Sequence, residues 1–313
     1  MRYPIGSTLF STWSAEDNEA LLDQGAARHI DADSLAALPR EPGVYTFWGE
    51  GRLPLYIGKS VNIRQRVLSH LRNAAEARLV AQTRRIDFVR MAGDIGAQLL
   101  EARLIKEQQP LFNVRLRRSR KLYAIRLGPS PAGLTPQVVD GDQVPLGREP
   151  HLYGLHASRH AALDFLRTLA RGHQLCLGLL GLEKIGQRGC FGPQIKTCRG
   201  ACVGREDRAA HDARLLEALR EAQVHVWPFA GPVDVVEHGP MGVQKHRVDN
   251  WRYLGSWVRS TRELADPSSP SIKGRRPRPV PGASGAACQL DLDTYKILIR
   301  PILLGEVSVH VPG

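Results

Sequence analysis

The sequence predicts an α/β protein. A small domain with a mixed sheet flanked by helices is followed by a cysteine-containing α+β C-terminal region. Three observations predict this. Two short aromatic strand-like runs, GVYTFW and LYIG, enclose a turn holding Gly49 and Gly51. Helical and strand periodicities then alternate as far as Asn113. Four of the five cysteines fall in one later stretch, 176–202.

Each element has a local reason. Gly43 to Trp48 and Leu53 to Ile57 read as a strand pair across the glycine turn. A helix starts near Val61, where Ile63, Val67 and Leu71 recur at i, i+4, i+8 on one stripe. Arg64, Arg66 and His70 lie off that stripe, and Arg66 and His70 share a face. RIDFVRMAG (85–93) is rich in strand formers. Asp94 is expected to cap DIGAQLLEARLIKEQQ, a helix that Pro110 stops. Residues 38–121 thus form the first domain, in the order β-β-α-(α)-β-α. Residues 1–37 are a lead-in with one helical stretch, Ser14 to Ala27.

Further on, LYAIRL is a strand, Gly128 to Pro150 is loop with short strands, and His156 to Arg171 is a helix. EDRAAHDARLLEALREA (206–222) is amphipathic. Residues 122–230 make a cysteine-cluster region. In 231–313, VDVVEHG and KHRVDNWRYLGSWV suggest a strand pair. A basic, proline-rich flexible loop spans 266–287, and DTYKILIRPILLG is strand or helix.

Composition limits the function classes. Hydrophobic residues make up 42% of the chain, enough for a sizeable core, and the formal net charge is +12. That excess points to a polyanionic partner. No apolar run approaches the ~18 residues of a membrane span. The N-terminus has no apolar signal region. The expectation is a cytoplasmic protein with reduced cysteines and no membrane partner.

The hairpin runs from its second tyrosine into Lys59 and Arg66, a pattern suited to hydrolysing a phosphodiester. That reaction needs a base for water, cations for the phosphorane and help for the leaving oxygen. Tyr56 suits the base if Lys59 and Arg66 lower its pKa, and Tyr45 sits across the hairpin. Glu101 lies among Leu99, Leu100, Leu104 and Ile105, where a carboxylate is costly unless it is paired or binds metal. Asn113 can bond phosphate or pin the helix end. His70 is a possible auxiliary. In RLRRSRK (115–121), Arg115, Arg117, Arg118, Arg120 and Lys121 suit DNA-backbone contact. Cys176, Cys190, Cys198 and Cys202, separated by 13, 7 and 3 residues, offer a Cys₄ site that suits zinc or iron–sulfur equally by ligand type. Cys288 is a bystander.

This constellation resembles the GIY-YIG endonuclease family. GVY and YIG stand at its two tripeptides, and Arg66, Glu101 and Asn113 stand at its arginine, metal-binding glutamate and late asparagine. PLYIGKSVNIRQRVLSHL and GAQLLEARLIKEQQPLFN are similar to the UvrC/Cho excinuclease branch, above all to its short members. The resemblance implies one Mg²⁺-dependent (or Mn²⁺-dependent) nick on the 3′ side of a lesion. It implies damaged double-stranded DNA held by UvrB after loading by UvrA, within the DNA-damage (SOS) response. It also implies a 4Fe–4S cluster on the four cysteines, with zinc as the alternative. Residues 223–313 are too short for the second nuclease and DNA-binding motifs of UvrC, so a single cut is expected. Rival readings are a nuclease for branched DNA with a zinc site, a catalytically silent DNA-binding adaptor, and an RNA partner.

Overall fold

The computed structural model describes residues 29–113, 121–130, 133–259 and 290–312. The expected helix 14–27, Arg115, Arg117, Arg118, Arg120, the whole loop 266–287 with its flanks, and Cys288 lie outside these residues. The chain divides into two compact units, 1–117 and 118–313.

In the first unit the order is α1 (Ala32–Ala36), β1 (Gly43–Trp48), β2 (Pro54–Ser60), α2 (Ile63–Arg72), α3 (Ala77–Gln82), β3 (Arg85–Arg90) and α4 (Asp94–Gln108). The strands form one sheet, β2-β1-β3. Both pairings are antiparallel, so the sheet is not mixed as expected. Strands β2 and β3 run parallel to each other but lie on opposite sides of β1, and the crossover through α2 and α3 passes over it, so no neighbouring pair is parallel. Strand β1 is central and almost wholly buried. Tyr45 and Phe47 point to one face, against Ile63, Val67 and Leu79. Val44 packs with Ile57, Ala97 and Ile105 in a separate core. Each such side chain contributes about 1.5–3 kcal/mol on burial. The core also takes in Ile30, Leu35 and Leu38, so it begins before residue 38.

Two details of the first tripeptide and of α4 follow from packing. A Cβ on Gly43 would collide with the Val89 carbonyl of β3, so only glycine lets β3 approach there. Helix α4 is capped by Gly93 without a side-chain bond, not by Asp94. Asp94 spends its carboxylate on Lys59 and Gln98 instead.

The second unit holds two antiparallel sheets. The hairpin β4 (Tyr123–Ser130) and β5 (Gly133–Asp140) joins β6 (Leu152–His156) in the order β5-β4-β6. The expected loop thus carries a full eight-residue strand, β5. Helix α5 (Arg159–His173) starts three residues later than expected because Ser158 caps it. Helix α6 (Arg208–Leu219) buries Leu215 and Leu219 with Leu166 of α5 and Ile125 of β4. The second sheet, β10-β7-β8-β9, contains β7 (Val233–Gly239), β8 (Gly242–Asp249), β9 (Arg252–Arg259) and β10 (Ser308–His310). The expected pair is therefore three consecutive strands. Asn250 and Trp251, both at positive φ, make the tight turn that divides β8 from β9. The closing apolar stretch is a helix, α7 (Leu292–Leu303), which contains Pro301.

Candidate active site

The antiparallel register places Tyr45 opposite Gly58 and Phe47 opposite Tyr56. Tyr45 and Tyr56 are therefore diagonal neighbours on one face. Their ring centroids lie 6.3 Å apart. Gly58 is required by this packing, because a Cβ there would run into the Tyr45 hydroxyl. The glycine of YIG thus seats the tyrosine of GVY.

Helix α2 brings the next two groups. Arg66 and His70 lie one turn apart and both reach Tyr45. His70 Nε2 is 2.7 Å from the Tyr45 hydroxyl, and Arg66 lies within electrostatic reach of the same group. The Nδ1 of His70 is in close contact with the Glu76 carboxylate. Glu76, at the end of the short 3₁₀ turn Ala74–Glu76, was not among the expected site residues. Nothing in its spacing marks it, since the turn alone returns it to His70.

Glu101 closes the site from α4. Strand β2 is an edge strand, and its open side is occupied in sequence. Leu111 N–H donates to the Pro54 carbonyl and Phe112 N–H to that of Leu55. The Asn113 side chain then accepts from Ile57 N–H and donates to the Ile57 carbonyl, both at 2.9 Å. Past that point Glu101 Oε1 accepts from Lys59 N–H at 3.1 Å. Glu101 thus sits where edge pairing ends.

The electrostatics differ from the expectation. Burial is the main force on Tyr56, and the negative charge of Glu101 adds to it; together they hold its hydroxyl above the usual tyrosine range, against Arg66. The Lys59 ammonium is paired with Asp94 at 2.8 Å. Burial also raises Tyr45, with Tyr56 adding to it. Burial would lower Arg66, but the two tyrosines offset this and raise it. Burial lowers His70, opposed by Glu76. Glu101 is pushed up to about 7, chiefly by burial, while Lys59 draws it down. A carboxylate so deprived of solvent is one that gains by taking a cation.

The structure therefore joins Tyr45, Tyr56, Arg66, His70 and Glu101. Lys59 contributes its backbone N–H to Glu101 and its side chain to Asp94. Asn113 holds the chain against the edge of β2. Lys121, in the second unit, is expected on DNA but pairs with Asp140 at 3.2 Å and Asp142 at 2.5 Å. Two carboxylates neutralise it.

The cysteines form a second centre. The sulfurs of Cys176, Cys190 and Cys202 all lie within 4.8 Å of one another. Cys176–Cys190 is 3.4 Å and Cys190–Cys202 is 3.5 Å. Cys198 stands outside that trio, yet the Cys190 and Cys202 thiols still raise it, after burial. Burial pushes Cys176 up to about 12. Gly189, at φ +87°, lets the loop pass the Cys202 sulfur, which a Cβ would approach to 3.2 Å. His211 Nε2 accepts from Cys176 N–H at 3.1 Å. Four thiols fit a Cys₄ centre. The close trio matches one tetrahedral ion, whose sulfurs lie about 3.8 Å apart for zinc–sulfur bonds of ~2.3 Å. A cubane, which binds each thiolate to a different iron, requires them to part.

Residues 41–114 match the UvrC-like GIY-YIG domain, 130–221 the UvrC/Cho excinuclease middle domain, and 232–311 the excinuclease Cho C-terminal domain. Excinuclease cho of Escherichia coli (strain K12) is 46% identical over 274 residues, spanning 87% of this chain and 86% of the relative. The chain belongs to the UvrC/Cho excinuclease family. Salmonella typhi excinuclease cho is 45% identical over 277 residues, covering 88% of this chain and 87% of the relative. A crystal structure of the GIY-YIG endonuclease domain of Thermotoga maritima UvrC, bound to its catalytic divalent cation magnesium, is 32% identical. It covers 26% of this chain and 93% of that one, with a TM-score of 0.25. Like its UvrC/Cho homologues, this protein is an endonuclease of the GIY-YIG kind. Among the described residues no helix is long and apolar enough to cross a membrane.

Proposed function

We propose that this protein makes one divalent-cation-dependent nick on the 3′ side of a lesion in damaged duplex DNA held by UvrB, in the cytoplasm. The observation that carries the chemistry is Glu101. Its carboxylate is largely withdrawn from solvent, has one backbone donor, and lies within the electrostatic reach of Tyr45, Tyr56 and Arg66. A silent DNA clamp has no use for a carboxylate that costs this much to bury. Glu101 would hold the cation, Mg²⁺ by the oxygen chemistry of the ligand. When bound, that ion supplies positive charge to the phosphorane and the leaving oxygen.

The other roles follow from position. Arg66 stays charged within reach of Tyr45 and Tyr56, so it faces the phosphate as a cation. Tyr56 is the base candidate. It is raised partly by Glu101's negative charge, and neutralising that charge removes this part. Tyr45 orients Arg66. The UvrB dependence and the 3′ position rest on the family resemblance, and the substrate on the relatives' excinuclease activity.

The cysteines hold a metal centre in this reading. The resemblance favours 4Fe–4S, while the sulfur spacing favours a single zinc, as a nuclease for branched DNA with a zinc site would have. The deciding test is nicking of an end-labelled duplex with one bulky lesion, with Mg²⁺, UvrA and UvrB, for wild type and Glu101→Ala. A discrete 3′-side nick lost in the variant is the expected result. Cutting of branched duplexes alone, without UvrA and UvrB, would replace it with the branched-DNA reading.

A further inference from the structure

The Tyr45 hydroxyl meets His70, and Glu76 sets the direction of that hydrogen bond. His70 is 3% exposed, and both ring nitrogens are engaged. Its Nδ1 meets the Glu76 carboxylate, and its Nε2 meets the Tyr45 hydroxyl. An ionised carboxylate only accepts hydrogen bonds. The Nδ1 must then carry the proton, and in a neutral ring the Nε2 must accept. The hydroxyl of Tyr45 therefore donates to His70. Its oxygen is left as an acceptor toward Arg66, which only donates.

The local chain is built for this contact. Asn73 ends α2, its N–H bonding to the His70 carbonyl at 3.1 Å. Its side chain caps the next turn by accepting from Ala75 N–H, also at 3.1 Å. Glu76 N–H then donates to the Asn73 carbonyl at 2.9 Å. These bonds fix the backbone of 73–76 and return Glu76 to the ring six residues earlier. Burial keeps His70 neutral, as the acceptor role requires.

We propose that Glu76 is a positioning residue of the nuclease site: by holding the Nδ1–H tautomer of His70 it makes Tyr45 a donor to His70 and an acceptor toward Arg66. This rests on the nuclease reading for its consequence, but not for its geometry. Without Glu76 the ring is free to adopt the opposite tautomer. Its Nε2–H would then donate to Tyr45 and compete with Arg66 for the same oxygen.

The test has two arms, on the full chain. The first is ¹⁵N NMR of histidine-labelled protein, which reads the tautomer whether or not the protein cuts DNA. Wild-type His70 is expected as Nδ1–H, and Glu76→Ala is expected to lose that form. A wild-type Nε2–H ring would overturn the proposal by itself, even if the variant failed to fold. The second arm is a double-mutant cycle on nicking. Glu76→Ala should slow nicking roughly 10- to 100-fold at unchanged DNA affinity, and should have no further effect in a His70→Ala background. Equal losses in both backgrounds would mean that Glu76 acts elsewhere. A wild type that does not nick, with the expected tautomer, would count against the nuclease reading and leave the positioning intact.

Discussion

The two centres of this molecule are held in opposite ways. The tyrosine–glutamate site is built on β1, β2, α2 and α4, and each side chain takes its place from the register of a strand or the turn of a helix. Cys176, Cys190 and Cys198 lie on chain that forms no helix or strand between His173 and Ala201, and Cys202 lies in the short 3₁₀ turn Ala201–Val203. A connection of that length without regular structure is uncommon in a compact unit. Leu175 and Leu180 anchor its start in the core, and the sulfurs of Cys176, Cys190 and Cys202 draw its later turns together. The first site is therefore held by regular structure, and the second by the contacts of its own side chains.

The largest expected effect follows from that contrast. Cys190 is buried, touches the sulfurs of both Cys176 and Cys202, and donates its N–H to Cys202. Cys190→Ala should release the metal and unfold residues 174–206, since metal affinity is folding energy where no element supplies it. Hydrogen exchange should show protection lost there and kept in β1. Metal and labile-sulfide analysis of the wild-type protein identifies the metal, with iron plus labile sulfide expected and one zinc without sulfide as the other outcome. Unchanged protection in 174–206 after metal loss would remove the contrast between the centres.

Next in size is a pH effect confined to the first site. Burial raises Glu101 to about 7, so the folded chain binds this proton more tightly than the unfolded chain does. The stability it brings is complete below the unfolded carboxylate range, near pH 4.5. It is lost as pH rises through about 7. The loss is on the order of 3 kcal/mol at 1.36 kcal/mol per pK unit. Melting in chelator should show this decline between about pH 4.5 and 8 in wild type and not in Glu101→Gln. Parallel curves would mean that Glu101 is not desolvated. Added Mg²⁺ should recover more stability at pH 8 than at pH 5, because only the ionised form binds it.

The site held by regular structure was also the more legible one. Period-2 and period-3.6 patterns place β1, β2, α2 and α4, and a sheet register then fixes which tyrosines share a face. Glu101 stands out in sequence because a carboxylate amid leucines needs a reason. The roles of Lys59 and Asp94 were not legible. Pairing the two requires knowing that Lys59 leaves β2 on the side of α4, which one-residue strand register decides. Glu76 was hidden for a similar reason, since a 3₁₀ turn has no pattern. In the second unit β5 was lost among prolines and glycines, because a strand of GLTPQVVD shows little alternation before it is paired. The four cysteines were visible by type, but their spacing carries no information about how closely the trio approaches.

A smaller effect sharpens the same point at Gly58. A methyl there would overlap the Tyr45 hydroxyl and come within 2.8 Å of the Tyr56 ring. Gly58→Ala should displace Tyr45 from Arg66 and His70, slowing nicking about 10- to 100-fold, as misplacement of catalytic groups does. The sheet should survive, since the strand has no positive-φ residue there. A rate near wild type would show that Tyr45 is not needed at its observed position.

The smallest effect separates holding from chemistry at Asn113. Both ends of its amide are spent on the Ile57 backbone, so the structure gives it the work of a strand residue. Each bond is worth about 1 kcal/mol net, with more lost if the buried Ile57 backbone is left unsatisfied. Asn113→Ala should therefore cost about 1–3 kcal/mol in denaturant melts and change nicking less than tenfold below the melting range. Asn113→Asp keeps the acceptor for Ile57 N–H, loses the donor and adds a charge, so it should cost stability in the same direction. If instead the alanine variant melted like wild type yet nicked as poorly as Glu101→Ala, Asn113 would touch the reacting phosphate. The bonds to Ile57 would then have to open when DNA binds.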